Sequence, residues 1–397
     1  MPTRPIPDPV PGERLLAVSP RPEAGQVTGW RRRVNGFAGR ALAADALTRE
    51  QQHRAGHLAL LAQALSPGVV EGLAVARNAS GETIQIAAGQ GLSAQGEDLR
   101  LAQPLSVRLA DVQVFESAAE SDTATGDALL TRRLGRSLGE LIAAGTDLPR
   151  AHILLLVPAT VDTAAAGDPG TPCARDPADD AFLDLRRIDA ARLALYPWPT
   201  DVLALPTPGP RWRNRLARAL FMAEKDLAPA QLTPWQAMGV PIALIGFSDT
   251  WQALFADSHA AARPGGRPKR RDALISDAGH PYLWEARMRQ FADHLADTLA
   301  ASPDVAAAAG EFQHLPPAGL LPRSAVDFAG GRQAFLPVTW TVDAVPVPLE
   351  QLDMILAEAA TLADFNTDLA DRAQILVPVP QTVYEPDLLV TATLDAE

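Results

Sequence analysis

Gly68-Val-Val-Glu-Gly-Leu-Ala-Val75, Asn78-Ala-Ser-Gly81 and Thr83-Ile-Gln-Ile-Ala87 set two runs of β-branched residues, alternating with polar ones, around an Asn/Ser/Gly turn. Successive strand side chains point to opposite faces, so this alternation predicts a hairpin with one buried side. Gly89-Gln-Gly91, Gln95-Gly96-Glu-Asp98 and the spaced Leu99, Leu101, Leu105, Val107 and Leu109 extend it into a small β-unit ending near 110. The acidic, small-residue stretch Glu116 to Asp127 then marks a boundary.

Upstream, Thr48-Arg-Glu-Gln51 has capping-box spacing, and Leu58, Leu61 and Leu65 share one helical face before Ser66-Pro67-Gly68. These signals predict a helix over about 48–65. Residues 1–35 are proline-rich and aperiodic, which predicts an extended arm able to lie along a neighbour.

Downstream, Leu130, Leu134, Leu138 and Leu141 predict a helix with Gly145 at its C-terminal end, and Ile153-Leu-Leu-Leu-Val157 reads as a buried strand. Residues 183–196 fit helix and strand equally, whereas Trp212, Leu216 and Leu220 mark a helix. Val240–Phe247 and Trp251–Phe255, joined by Ser248-Asp249-Thr250, form a second expected hairpin. Trp284, Met288, Phe291, Leu295 and Leu299 give a long helical stripe. The C-terminal part offers a strand at 335–342, a helix through Leu349, Leu352 and Leu356, and an edge strand at Ile375-Leu-Val-Pro-Val. The fold class is therefore mixed α and β and multidomain. Its expected parts are an arm (1–35), a helix with a small β-unit (36–115), a central α/β domain with a hairpin (127–262) and a helical segment with a C-terminal α/β region (273–397).

With 397 residues the chain exceeds what one core supports, and a mean hydropathy of -0.01 is that of a folded protein without a membrane span. The N-terminus has no secretory or transit character, so cytoplasmic synthesis is expected. Cys173 is the sole cysteine, which excludes an intrachain disulfide and a thiolate zinc site. A net charge of -12 repels polyanions, so nucleic acid is not an expected partner. The local exception, Arg263, Arg267, Lys269, Arg270 and Arg271, lies in a Pro/Gly-rich stretch and reads as an exposed loop. Lys225 and Lys269 are the only lysines among 35 Lys and Arg residues, a bias of GC-rich coding rather than of chemistry.

Gly89-Gln-Gly91-Leu-Ser-Ala94 fits G-x-G-x-x-A, but a phosphate-binding loop must open into a helix, and strand-like residues follow here. Nucleotide binding is not expected. His53 and His57 have helical metal-pair spacing without a third ligand, and a polar helix face is the favoured reading. The other histidines are scattered, and neither a G-x-S-x-G elbow nor a P-loop occurs. Asp168, Asp176, Asp179 and Asp180 crowd Cys173 without the alternation of an EF-hand, so a solvated acidic loop is favoured over Ca²⁺ binding. Catalytic, cofactor and metal residues are accordingly none. Tyr196, Trp198, Trp212, Trp235 and Trp251 hold half of all Trp and Tyr, and they are the candidate interface or glycan contacts, with core packing the alternative.

The 68–75, 83–89 and 94–99 runs resemble a β-module near the N-termini of baseplate and tail-fibre proteins of contractile phage tails and extracellular injection systems. Trp235–Ile245, the hairpin through Asp257, His314–Pro322 and Val377–Leu389 resemble proteins encoded beside such systems. The resemblance implies a non-enzymatic, multi-copy structural component at the baseplate, a fibre or a cage-like extension. Its partners would be other particle subunits and further copies of itself, with no nucleic acid and no membrane insertion, and the assembled particle could be released outside the cell. The rival readings are a receptor- or carbohydrate-binding tip protein and a particle-associated hydrolase using paired carboxylates.

Overall fold

The structure is a computed structural model that describes residues 44–116, 135–164, 185–227, 231–267, 281–359, 362–385 and 391–396. The proline-rich arm, the acidic cluster around Cys173, and Lys269, Arg270 and Arg271 lie outside these residues.

Helix α1 spans Ala44–Ala62. The chain is already helical four residues before Thr48, so the predicted capping box sits inside the helix and does not start it. The small β-unit follows as two three-stranded sheets. Strands β1 (Gly68–Gly72), β4 (Gly89–Leu92) and β5 (Asp98–Leu101) form one; β2 (Val75–Arg77), β3 (Thr83–Ile86) and β6 (Leu105–Arg108) form the other. Gly72 must be glycine: its φ is +62°, and an added Cβ would lie 2.0 Å from the Ala88 carbonyl oxygen. β4 turns directly into β5, so the glycine motif at 89–94 opens into a strand and not a helix.

A five-stranded sheet forms the centre, in the order β11-β10-β8-β9-β7. Its strands are β7 (Gln113–Val114), β8 (Ala151–Ala164), β9 (Leu185–Pro197), β10 (Val240–Phe247) and β11 (Ala253–Asp257). All eight residues of β10 are buried, as a near-continuous apolar run demands of a strand covered on both faces. The ambiguous 183–196 segment is thus a strand. β8 pairs with β10 only as far as Leu156, but it pairs with β9 out to Ala164, so Val157–Ala164 and Leu185–Arg192 run on as a two-stranded ribbon.

Alternation divides this sheet between two cores. Leu154, Leu156, Leu195, Ala243 and Ile245 meet Leu73, Ile84, Ile86 and Leu99 of the β-unit, together with Leu138 and Leu141 of helix α2 (Leu138–Ala143). This core draws on both sides of the boundary expected near 116–127. Ser137 and Glu140 form a capping box at the start of α2, and Gly145 follows it at φ +67°.

The opposite face carries Ile153, Leu155, Val157, Ala194 and Leu244, packed under helices. These are α3 (Trp212–Lys225), α4 (Pro234–Met238), α5 (Ser258–Ala261) and the start of α6 (Pro281–Ala301). The molecule is therefore layered as β-unit, central sheet and helices. α6 continues past this core into a third one, where Phe291 and Leu295 meet Val305, Phe312, Leu315 and Phe335. Helix α7 (Val305–Ala309) and short strands β12 (His314–Leu315), β13 (Val326–Asp327) and β14 (Arg332–Gln333) surround it.

Beyond lie β15 (Thr341–Pro348), helix α8 (Leu352–Ala359), β16 (Phe365–Asn366), β17 (Arg372–Val379) and β18 (Ala392–Ala396). The strand expected at 335–342 begins six residues later, because Pro337 and Trp340 close a turn first. β17, which holds Pro378, is the edge of its sheet among the described residues, as its proline requires. The chain is mixed α and β and multidomain.

Candidate functional site

Two features stand apart from ordinary packing: a buried polar seam along α3 and α6, and the outer face of α1. The seam begins with the periodicity of α3, where Arg213, Asn214 and Glu224 are buried beside Trp212, Leu216 and Leu220. A buried charge is tolerated only when paired and hydrogen-bonded. Each of these groups meets that condition.

Asp257 is 1% exposed and receives Arg213 Nε at 2.8 Å and Gln290 Nε2 at 2.8 Å on one oxygen. Its other oxygen accepts the Ala260 N–H at 3.0 Å, capping α5. Burial alone would raise its pKa, but the Arg213 guanidinium and the Gln290 amide outweigh that and hold it below the usual carboxylate range. Arg213 also donates to Asp297 at 2.8 Å. Glu224 takes Arg263 in a two-pronged pair, at 2.7 and 2.9 Å, and Arg263 spends its remaining N–H groups on the carbonyls of His259, Ala260 and Ala262. Arg287 and Arg218 share Asp364, and Asn214 bonds the backbone of Gln313 and His314 on both sides of its amide. The seam thus ties α3, α5 and α6 to the C-terminal region.

His294 completes this face of α6 at 4% exposure, with Nδ1 unpartnered. Burial, reinforced by Arg213, pushes its pKa down to about 3, so the ring is neutral. A cleft of about 670 Å³ borders it, lined among others by Arg77, Arg213, Asp297 and Glu311. Of these, Arg213 and Asp297 are paired with each other, and Arg77 donates to the Asn78 carbonyl at 3.3 Å. Basicity is suppressed at His294, and among the described residues the hydroxyl that lines the cleft, Thr298, donates to the His294 carbonyl at 2.8 Å. The arrangement is chemically suited to holding elements in register.

The five aromatic candidates do not form one open platform. Trp198, Trp212 and Trp235 are 2%, 4% and 1% exposed in the second core, while half-buried Tyr196 leans on Phe115. Trp251 packs against the opposite core, beside Phe247 and with Arg150 4.0 Å over its ring. Trp198 and Trp212 donate their indole N–H groups to the Leu203 and Pro206 carbonyls. His53 and His57 stand edge to face at 4.6 Å, and among the described residues no group of three or more His, Cys, Asp or Glu is placed for a metal. Nor is any helix among them long and apolar enough to cross a membrane.

α1 turns its leucine face outward. Ala46 is buried, and Gly56 and Ala59 are half-buried, whereas Leu47, Leu58 and Leu61 are 52%, 68% and 70% exposed. The reason is close approach: Gly96, at φ +87°, lies so near the Ala59 carbonyl oxygen that an added Cβ would sit 2.1 Å from it. Only the small face of α1 fits there. Gln63 fixes this end by donating to the Gln95 carbonyl at 2.7 Å.

No protein-family model matches the sequence, and no curated protein matches it. Among solved structures, the crystal structure of TssK is similar at 12% identity, over 68% of this chain and 49% of its own, with a TM-score of 0.25. The chain spans about half the length of that protein.

Proposed function

We propose that this chain is a structural, non-enzymatic subunit of a contractile injection particle, placed at the baseplate, a fibre or a cage-like extension, with α1 as its attachment element. The observation that carries the assembly reading is the outward leucine face of α1. A helix that turns Ala46, Gly56 and Ala59 inward and leaves Leu47, Leu58 and Leu61 exposed offers apolar surface for a partner to cover. The contractile setting rests on the sequence modules at 68–75, 83–89 and 94–99, and the polar seam supports the non-enzymatic reading because its charges are mutually satisfied.

The test is Leu58→Asp combined with Leu61→Asp, expressed in the native host in place of the wild type. The variant is expected to melt like the wild type yet to be lost from the sedimenting particle fraction. Co-sedimentation at wild-type level, or a cleavage activity of the purified protein on glycan, peptide or ester substrates, would overturn the proposal.

A further inference from the structure

We infer that Arg218, at the solvent end of the polar seam, is a docking point for a carboxylate on an acidic segment of a partner protein. This rests on the assembly reading for the existence of a partner, but it concerns α3 and not α1.

Charge is balanced inside the seam and not at its outer end. Arg287 of α6 closes on one oxygen of Asp364, and Arg218 of α3 lies with its Nε 3.7 Å from the other. At that separation Arg218 feels the carboxylate but does not hydrogen-bond to it, and among the described residues its Nε has no partner. The Arg287 and Asp364 side chains are 8% and 9% exposed, whereas that of Arg218 is 40% exposed. One carboxylate thus serves two guanidiniums, and the cation left over is the one that solvent reaches.

The neighbouring residues deepen the surplus. Arg215, one turn earlier on the same side of α3, spends its Nη2 on the carbonyls of Thr207 and Pro210, and its Nε is buried without a partner. Arg211, just before α3, takes Asp368 at 2.9 Å. Among these groups four cations, Arg211, Arg215, Arg218 and Arg287, meet two carboxylates, Asp364 and Asp368, in a chain whose net charge is -12. His314 registers the same field. Burial first, then Arg218, and Arg211 as well, push its pKa down to about 4 against the opposing pull of Asp368.

The unmet charge selects the ligand. A guanidinium presents a flat fork of donors that matches an oxyanion. Arg218 has its fork free, while Arg215 holds its own on backbone carbonyls and contributes mainly charge. Carboxylates spaced along a chain fit this arrangement, one at Arg218 and another drawn by Arg215; a compact dianion would bring both its charges against Asp364. One exposed pair is weak, so affinity comes from several carboxylates on one segment and is screened by salt.

Fluorescence polarisation of labelled octaglutamate with the full-length chain tests this. Saturable binding is expected at low ionic strength. Arg218→Gln should weaken it about fivefold without changing the melt, because Arg218 Nε holds no partner within the chain. Arg100→Gln, which removes an exposed arginine of β5, should leave binding unchanged. In NMR titrations the peptide should raise the pKa of His314 in the wild type and not in Arg218→Gln. Absence of binding, equal binding by Arg218→Gln, or an equal loss in Arg100→Gln would overturn the site. Inorganic phosphate displacing the peptide more strongly than glutarate at matched ionic strength would overturn the carboxylate assignment. Peptide binding that fails while the Leu58 and Leu61 aspartate variant is still lost from particles removes this site and leaves the assembly reading; the reverse pattern removes the assembly reading and leaves the site.

Discussion

α1 and α6 are helices of similar length, each with a leucine-rich stripe, yet they settle in opposite ways. α6 buries Leu283, Phe291 and Leu295, and with them Arg287, Gln290 and His294. α1 turns Ala46, Gly56 and Ala59 inward and shows Leu47, Leu58 and Leu61 to solvent. The difference lies in what the far side of each helix offers. On α6 the polar residues find Asp257, Asp364 and Arg213 waiting, so a wide face can turn inward without stranding a charge. On α1 the backbone at Gly96 comes so close to the Ala59 carbonyl that small side chains fit best against it. A stripe in the sequence thus says that a helix has two faces; which one turns inward depends on the neighbour.

Four substitutions probe this contrast. The largest effect belongs to Asp257→Ala, which removes the buried partner of Arg213 Nε and Gln290 and leaves Arg213 only Asp297, and should cost about 3–5 kcal/mol in chemical denaturation. A loss under about 1 kcal/mol would mean that water reaches the seam. Phe291→Ala on α6 removes a ring packed 5.1 Å from Phe312 and 6.0 Å from Phe335, and a loss of about 3 kcal/mol is expected.

The acid limb comes next. His152 is fully buried on β8 with both ring nitrogens unpartnered, and burial depresses it, like His294, to about 3. An unfolded histidine takes its proton near 6.5, so below that pH the unfolded chain binds more protons and stability falls as pH falls toward 3. Each ring contributes a slope of about 1.4 kcal/mol per pH unit across that window. His152→Leu should remove one such slope and raise the melting temperature at pH 5; an unchanged pH profile would show that the ring is protonated in place. Smallest of all, Leu61→Ala on α1 should stay within about 0.5 kcal/mol for the isolated chain. A cost matching that of Phe291→Ala would erase the contrast between the two helices.

The elements that could be read directly are those whose signal is local. The apolar run Val240–Phe247, the Asn78–Gly81 turn and the stripe of α6 each carry their own periodicity. The failures also have local causes. Thr48-Arg-Glu-Gln51 imitates a helix start because capping-box spacing recurs inside helices, and nothing nearby announces that Ala44 is already helical. The strand at Thr341 was displaced toward Phe335 because alternation continues through Pro337, where the backbone turns. The seam was invisible because Arg213, Asp257, Gln290 and Asp364 are distant in sequence. Its one local trace is Arg213-Asn214 wedged between Trp212 and Leu216, polar residues on an otherwise apolar helical face. Aromatic density at 196–251 suggested a contact surface, but Trp198, Trp212 and Trp235 fill the helix-covered core instead. Aromatic rings serve either purpose, and their numbers alone do not distinguish them.

The ribbon formed by β8 and β9 has a practical consequence. From Val157 to Ala164 it extends about 26 Å past the end of β10, and the Ala164–Leu185 pair pins both ends of the 165–184 stretch together at its tip. Thirteen consecutive cross-strand pairs, from His152–Pro197 to Ala164–Leu185, therefore hold these two positions as neighbours through a ladder that does not depend on how the chain between them is built, so shortening β8 from its far end should loosen Ala164 and Leu185 before it disturbs the pairing of β8 with β10.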